Sequence, residues 1–542
     1  MRWLALLLIA ACTGSPEPPP PTPDGAPATG PVAGDTLVVA LPFDPGNLNP
    51  LVAPYAMSGY FIDLTQPGLV LRAVTDAGLE YEPALAESWT WSEAGDALTY
   101  TLREGLTWND NTPLTTADVA FTYALIADPA VASNWHDDSN YIDAIEIVDD
   151  RTVTFRFTGP GNPLLLQGYT IRGILPQHLL ADADRATLRG HPYSRAPASS
   201  GPWQVSSWSA EEKLVLTPNP GSGVSERPPW LERIVARVIP EYATRLIELE
   251  NGGIDYLLTV EVPDVPKLKR DHPRLALRVQ PADGMWYAGW NTRDPVFSDP
   301  RVREAMTLAI NPQQIIDDHY TVEGTAYARP CVGTIAPTLG DWFASDLKPL
   351  APDPAAARAR LAEAGWADAD ADGVLDRDGQ PLTVSMMIQS GTPRVKKVAI
   401  TLQAQLKAVG VDLQIRTLEP NLFSQRAREH DFQAILWAFG NNPKVDPYIQ
   451  WHSKGQYNWM QLSDPEIDRL AEALKAATTL EEAQANAREI QRLVYAHHAA
   501  TFLLWEDSIS AIDGRFQDVE TDTFNALRHA ERWWVPAGQQ KY

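Results

Sequence analysis

Cysteine is scarce in this chain of 542 residues, where Cys12 and Cys331 are the only two. Cys12 lies in the amino-terminal segment, so Cys331 is the single thiol of the body of the protein and cannot form an intramolecular disulfide. No second cysteine or histidine stands at metal-ligand spacing around Cys331. We therefore expect a buried and inert thiol.

Basic residues are also in deficit, with 44 Lys and Arg against 69 Asp and Glu and a formal net charge of -25. Nucleic acid and anionic membrane surfaces would repel such a chain, so neither is an expected partner. A solvated acidic surface explains the charge. The length exceeds that of one small core, and two or more lobes are expected.

The common enzyme signatures are missing: there is no HExxH, GxSxG, Walker loop or GxGxxG. Ser345 and Lys348 fit the SxxK pattern, but no SDN or KTG accompanies them. His497 and His498 are neighbours on a predicted helix, where they point about 100° apart and cannot both face one metal ion. We expect surface histidines, no enzyme and no cofactor.

The most informative stretch is DFQAILWAFGNNPKVDP, from Asp431 to Pro447. Its apolar run, Phe432 to Trp437, predicts a buried strand that ends in a polar loop. The preceding segments predict strand, helix, strand and helix in turn, over 382–388, 395–409 (closed by Gly410), 411–418 and 422–429. Right-handed crossovers turn this series into an open parallel sheet.

Ligands of open parallel sheets lie beyond the carboxyl ends of the strands. This rule places Trp437, Ala438, Phe439 and Gly440 at the crevice. A core position for the two aromatic residues is the alternative, because most large apolar side chains are simply buried.

The amino-terminal residues 1–11 (MRWLALLLIAA) are apolar and too short for a permanent membrane-spanning helix. Together with Cys12 they resemble the lipobox of bacterial lipoproteins, which implies a signal peptide over 1–11 and lipid on Cys12. Residues 12–34 are rich in Pro, Gly, Ala and Thr, which is typical of a disordered tether. A cleaved signal with an incidental cysteine is the alternative.

Helix starts are marked by four capping residues that are each followed by proline at the first helical position. These pairs begin at Asp299, Asn311, Asp353 and Asp464. Thr115 or Thr116 predicts a further cap, with Asp118 near the positive end of its helix. The second half of the chain is therefore predicted to be rich in helices.

Several stretches, in order, resemble the family 5 extracellular solute-binding proteins, the peptide-binding lipoproteins of bacterial ABC importers. The stretch from Tyr81 to Tyr123 is similar to the family's PALAESW and PLTA-DV signature. Further similar stretches are 200–203 (SGPW), 233–255, 287–310 and 353–366 (DPAAARARLAEAGW).

This resemblance implies an α/β fold, a two-lobed clamshell of the periplasmic-binding-protein type II with mixed sheets and a two-crossing hinge. The first lobe would comprise residues 35–280, with 505–542 returning to it, and the second lobe residues 281–504. The crossings would lie near Pro281 and Thr501.

The resemblance also implies where a ligand would lie. Candidate ligand-binding residues are Phe43, Asp44, Gly201, Trp203, Trp286, Asn291, Trp437, Ala438, Phe439, Gly440, Asn441 and Asp446.

Peptide-binding members usually carry an Asp just past the strand that Trp437 ends, which pairs with the ligand's α-amine. Here Asp446 matches the Asp-Pro that commonly follows, so no amine partner is evident. A capped peptide, a sugar oligomer or another polar solute stays open, since an unpaired buried ammonium would cost several kcal/mol.

An acidic loop offers a weak candidate for calcium. Asp368, Asp370 and Asp372 alternate and Gly373 follows at the sixth position. Gly379 stands where a bidentate Glu is expected. A structural turn is the favoured interpretation.

The predicted function is capture of an oligopeptide or peptide-like solute and its delivery to an ABC permease. The protein would be a monomer, anchored through lipid on Cys12 in the cell envelope, on the periplasmic or extracellular face of a bacterial membrane. The alternatives are an oligosaccharide or other solute binder of the same fold, an envelope hydrolase, or a receptor.

Overall fold

The computed structural model describes residues 30–53, 56–75, 78–390, 393–439, 446–522 and 525–542. The predicted signal segment, Cys12 and most of the predicted tether lie outside these ranges, as do Gly440 and Asn441. Within the ranges, none of the helices has the length and apolar character needed to cross a membrane.

The strands, in chain order, are β1 (Thr36–Leu41), β2 (Val70–Thr75), β3 (Gly78–Pro83), β4 (Ala86–Trp91), β5 (Ala97–Leu102), β6 (Ile142–Ile147), β7 (Thr152–Phe157), β8 (Trp203–Ser209), β9 (Lys213–Pro218), β10 (Arg233–Val238), β11 (Tyr256–Leu257), β12 (Leu275–Trp290), β13 (Thr321–Val322), β14 (Thr325–Ala326), β15 (Ala328–Pro330), β16 (Asp376–Arg377), β17 (Gln380–Pro381), β18 (Thr383–Gln389), β19 (Asp412–Leu418), β20 (Ala434–Phe439) and β21 (Ala500–Asp513). The α-helices are α1 (Ala56–Thr65), α2 (Thr116–Ala127), α3 (Pro163–Gln167), α4 (Gln177–Leu180), α5 (Tyr242–Asn251), α6 (Val265–Asp271), α7 (Pro300–Ala309), α8 (Pro312–His319), α9 (Pro354–Glu363), α10 (Pro393–Lys407), α11 (Pro420–Arg428), α12 (Tyr448–Trp451), α13 (Pro465–Ala476) and α14 (Leu480–His497).

One large mixed sheet runs through the molecule in the order β19-β18-β20-β12-β21-β11-β1-β10-β9-β8. β1 is parallel to β10 and β11, and β18 is parallel to β19 and β20. β12 and β21 are antiparallel to each other and to their outer neighbours. A separate antiparallel sheet has the order β4-β5-β7-β6.

The two long strands β12 and β21 join the halves of this sheet. The first part of β12, up to Gln280, pairs with Ser508–Asp513, and the part from Gly284 onward pairs with Ala500–Glu506. The register shifts between Gln280 and Gly284. One end of β21 pairs with β11 of the first lobe, and one end of β12 pairs with β20 of the second lobe. Because β12 and β21 also pair with each other, both long strands extend through the two lobes. The structure thus has two lobes and two connecting strands.

The predicted strand–helix series of the second half is confirmed as β18, α10, β19, α11 and β20. The three strands are parallel, and their bounds differ from the predicted ones by one or two residues. Gly410 follows α10 with φ of +89°. That left-handed conformation suits glycine and stops the helix.

The predicted helix starts are confirmed. The side chains of Asp299, Asn311, Asp353 and Asp464 each accept backbone N–H groups of their own helices, with proline at the first turn. Thr115 caps α2 in a reciprocal arrangement with Asp118, whose carboxylate accepts the Thr115 N–H.

A buried ion cluster ties the chain ends to the first lobe. The Arg515 guanidinium lies 3.1 Å from an Asp35 carboxylate oxygen and 2.8 Å from one of Asp255. Asp255 also accepts the N–H of Val38 in β1. All three charged side chains are nearly inaccessible to solvent. Without the guanidinium, these two buried carboxylates would retain, among the described cations, only the longer contact of Asp255 with the half-exposed Lys541 ammonium, at 3.6 Å.

We predict that Arg515→Met lowers the free energy of unfolding by about 3 kcal/mol or more, because uncompensated buried charge is costly. Urea denaturation followed by circular dichroism measures this. Arg532→Met is the matched control, since the Arg532 side chain is 53% exposed and its two ion pairs are long, at 3.8 and 3.7 Å. Equal losses in the two variants would contradict the assigned role of Arg515.

Candidate functional site

The end of β20 presents an open strand edge. β20 pairs with β12 over all six residues, from Ala434 to Phe439. On its other side it pairs with β18 only at Ala434 and Ile435, as far as the described residues extend. Leu436–Phe439 therefore have no strand partner on that side among the described residues, and in this register Ala438 and Phe439 lie beyond Gln389, the last residue of β18.

An aromatic cluster flanks this edge. Trp437 stacks on Phe423 with ring centroids 5.0 Å apart and lies 5.4 Å from Trp459. Phe439 meets Tyr457 edge to face at 5.5 Å. Phe423 and Trp459 are buried, whereas Trp437, Phe439 and Tyr457 are half-buried. The structure therefore divides the cluster into core rings and rings that keep an accessible part.

Trp437 and Phe439 are two residues apart and share one face of the sheet, while Ala438 faces the other side. The indole N–H of Trp437 is buried and has no hydrogen-bond partner in the part of the chain that the structure describes. A buried donor of this kind is costly unless something accepts from it.

Lys475 connects the second lobe to the first near this site. It lies on α13, and its ammonium donates to the Tyr141 hydroxyl at 2.5 Å. The ammonium also lies 3.5 Å from an Asp446 carboxylate oxygen and 3.4 Å from the centroid of the Tyr448 ring. Tyr141 in turn stacks on Tyr169 at 4.5 Å.

A second cation bridges the lobes from the start of α10. The Arg394 guanidinium lies 3.2 Å from Glu261 and 2.5 Å from Glu506, which is on β21. The Trp286 indole donates to the other oxygen of Glu506 at 2.7 Å. Burial raises the pKa of Glu506, against the lowering effect of Arg394 and of this hydrogen bond. Trp286 is thus half-buried and bound within the protein.

Asp44, one of the predicted ligand-binding residues, has its carboxylate bound by groups of the protein itself. It is 5% exposed and accepts the N–H groups of Gly46 and Glu211, the indole N–H of Trp208 and the Arg195 guanidinium. Burial opposes its ionisation, but these donors hold its pKa below 3.8. Its neighbour Phe43 is exposed.

Three further predicted ligand-binding residues are buried. Trp203 is fully buried in the core of the first lobe, so its ring is not on the cleft surface. A side chain at Gly201 would come within 2.3 Å of the Leu64 carbonyl oxygen, which explains the glycine without a ligand. Asn291 is 6% exposed and donates to the carbonyls of His430 and Phe432.

The remaining candidates can be placed as follows. Asp446 is 5% exposed and stands at the lobe boundary beside Lys475.

Cys331 is buried, as predicted, and burial raises the pKa of its thiol. Ser345 and Lys348 form no reactive pair, because the lysine donates to the serine carbonyl rather than to its hydroxyl. His497 and His498 are half-buried rather than on the surface, and His497 is bonded to Asp464 at 2.6 Å.

The acidic loop brings carboxylate oxygens of Asp368, Asp370 and Asp376 within 4.8 Å of one another. Asp372 instead accepts the N–H of Val374, and Asp368 accepts that of Gly373. These bonds build a turn, and Gly373 has φ of +89°. The loop geometry fits the structural turn favoured by the sequence.

Sequence reasoning missed the two bridging cations. Lys475 and Arg394 lie on amphipathic helices, where a charged residue is expected on the solvent side. Their partners are remote in the chain: Tyr141 precedes Lys475 by 334 residues, and Glu261 precedes Arg394 by 133. No local pattern signals such pairs.

We predict that Asp44→Asn lowers the free energy of unfolding by about 2 kcal/mol at neutral pH, since four donors lose an anionic acceptor. Because the folded pKa is depressed, the carboxylate stabilises the protein above its unfolded pKa of about 3.9 and less as pH falls through the folded value. The difference in Tm from wild type should therefore shrink below about pH 4. Asp431→Asn, an exposed control, should show no such trend; a pH-independent difference at Asp44 would contradict its ionised state.

Comparisons with known proteins agree with this architecture. Residues 80–461, more than half of the chain, match the family model of bacterial extracellular solute-binding proteins, family 5 Middle. The chain is 24% identical over 536 residues to the oligopeptide-binding protein AppA of Bacillus subtilis (strain 168), which covers 98% of this chain and 96% of AppA.

Solved structures show the same fold. AppA from Bacillus subtilis in complex with a nonapeptide matches with a TM-score of 0.83 and 23% identity, over 93% of this chain and 100% of AppA. NikZ from Campylobacter jejuni in complex with Ni(L-His) matches with a TM-score of 0.80 and 20% identity, over 92% and 99%. The two-lobed clamshell is the shared architecture. With the match over residues 80–461, this chain belongs to the bacterial extracellular solute-binding proteins of family 5.

Proposed function

We propose that this protein captures an oligopeptide or peptide-like solute between its lobes and delivers it to the permease of an ABC importer. The observation that carries the proposal is the open edge at Leu436–Phe439, placed beside half-buried aromatic rings. An extended peptide can add to such an edge through its own backbone hydrogen bonds while aromatic surfaces hold its side chains. The oligopeptide-binding relative AppA supports this ligand class.

Closure of the lobes would trap the ligand. We place the hinge where β12 changes register, between Gln280 and Gly284, and in the adjoining part of β21. The first lobe then comprises 35–280 with the returning residues 505–542, and the second comprises 281–504. Lys475 and Arg394 reach from the second lobe to acceptors on the first, so both contacts would form on closure.

The membrane context belongs to the same proposal. Lipid on Cys12 and a tether up to residue 34 would hold a monomeric body at the periplasmic or extracellular face of a bacterial membrane. The family description, extracellular solute-binding proteins, supports that side of the membrane.

A different small solute is the second candidate. NikZ, which has the same fold, is described in complex with Ni(L-His). The cations described at the lobe boundary, Arg394 and Lys475, pair with carboxylates of the protein, which favours recognition by aromatic surface and backbone groups. Such a surface also accepts an uncharged polar solute.

We predict that mass spectrometry of the protein, purified without refolding and then denatured, detects released peptides. Retention is expected because closed lobes dissociate slowly from a trapped ligand. The same protein after unfolding and extensive dialysis is the control. Release of glycans or metal complexes without peptides would contradict the proposed ligand class.

We predict that Trp437→Ala weakens peptide binding about tenfold or more, because the accessible part of the indole is lost from the site. Calorimetry with the released peptide pool measures the affinity, and thermal unfolding measures stability. Trp459→Ala is the matched control: it removes a buried ring of the same cluster, so it should lower Tm with little effect on affinity below Tm. Equal losses of affinity in both variants would contradict direct contact by Trp437.

A further inference from the structure

Asp446 stands at the lobe boundary, just before α12. Its carboxylate accepts the Tyr448 N–H at 2.9 Å and lies 3.5 Å from the Lys475 ammonium. The aspartate side chain is 6% exposed. It is the natural partner for a cation at this end of the cleft, and the chain supplies that cation itself.

Lys475 is held there from several directions. Tyr141 of the first lobe accepts one N–H, Asp446 provides the negative charge, and the Tyr448 ring lies beneath the ammonium. The lysine side chain is 13% exposed. Burial opposes its charged form, but Asp446 and the Tyr141 hydroxyl raise its pKa above the ordinary value, so the ammonium is charged at neutral pH.

Among the described residues, the neighbours of this pair contribute little further charge. Tyr169, which faces Asp446 from the first lobe, stays neutral because burial raises its pKa well above 10. Asp138 lies nearby and is paired with Arg172 at 2.7 Å. On the second lobe, Glu472 is exposed and lies 3.4 Å from His452.

We propose that Lys475 determines which ligands this cleft accepts, by occupying Asp446 and so favouring peptides whose nearby terminus carries no free ammonium. This inference rests on the proposed function. Lys475 would repel a ligand ammonium, because both carry positive charge. The ligand ammonium could pair with Asp446 only by displacing Lys475 from its partners in the protein. A capped or otherwise neutral terminus meets no such opposition.

A purely mechanical role for Lys475, as a clasp between the lobes, makes a different prediction. Loss of a clasp would weaken every ligand by the same factor. Loss of a selective cation would change the ratio of affinities for capped and uncapped ligands. That ratio is therefore the quantity to measure.

The experiment uses one synthetic peptide library with free amino termini and the same library after N-acetylation. Binding to the full chain is measured by competition at neutral pH, for wild type, Lys475→Met, the double variant Lys475→Met/Asp446→Asn, and the control Lys454→Met. Lys454 is an exposed lysine in the segment before α13. Thermal unfolding with each library provides a second readout. In Lys475→Met, a ligand ammonium can take the place of the lysine beside Asp446, so the library with free amino termini should raise the Tm of this variant.

Wild type and Lys454→Met should prefer the acetylated library, and Lys475→Met should shift the ratio toward free amines by about tenfold or more. The double variant should lack that shift, because its carboxylate is gone. An unchanged ratio in Lys475→Met, or equal stabilisation of this variant by both libraries, would overturn the inference. If wild type binds neither library, the proposed peptide function itself has failed, which is a distinct result.

Discussion

The antiparallel pairing of β12 with β21 is the constraint on which the molecule depends. These strands are hydrogen-bonded to each other through both lobes, and the register is interrupted between Gln280 and Gly284. Backbone hydrogen bonds between strands are already interrupted at a bulge, so bending there breaks fewer of them than bending a regular part of the sheet. We therefore expect the lobes to rotate about this region. The same β12 is the full-length partner of β20. The proposed hinge and the open edge therefore belong to one hydrogen-bonded framework.

Compensation of buried charge shapes the surfaces that meet between the lobes. Lys475 and Arg394 each bring a cation from the second lobe to acceptors on the first or on β21. Each charge must be paired when water is excluded, since an unpaired buried ion is strongly destabilising. In the proposed function, recognition is left to backbone groups and aromatic surface. This division suits a site that holds a solute without transforming it.

Local rules were sufficient for much of the fold. Apolar runs bounded by capping residues and Gly410 gave the strands and helices from β18 to β20, and the crossover rule gave their parallel order. The aspartate and asparagine caps followed from the same chemistry. Each of these features is determined by residues a few positions apart, which a single sequence displays.

The site was less predictable, because burial and partners depend on distant segments. Asp44 lies in the loop after β1, where a ligand-binding residue was predicted. Its carboxylate oxygens accept hydrogen bonds from Arg195, Trp208 and Glu211 instead. Trp203 is part of a stretch that resembles the family, and its side chain is nevertheless fully buried in the core. Aromatic residues suit both core and binding surface, so composition does not separate the two.

The most direct measurement is a crystal structure of the protein purified with its native ligand. The account predicts electron density for an extended ligand between the lobes, hydrogen-bonded along Leu436–Phe439 and in contact with the half-buried face of Trp437. Ligand density enclosed within one lobe, away from the end of β20, would contradict it.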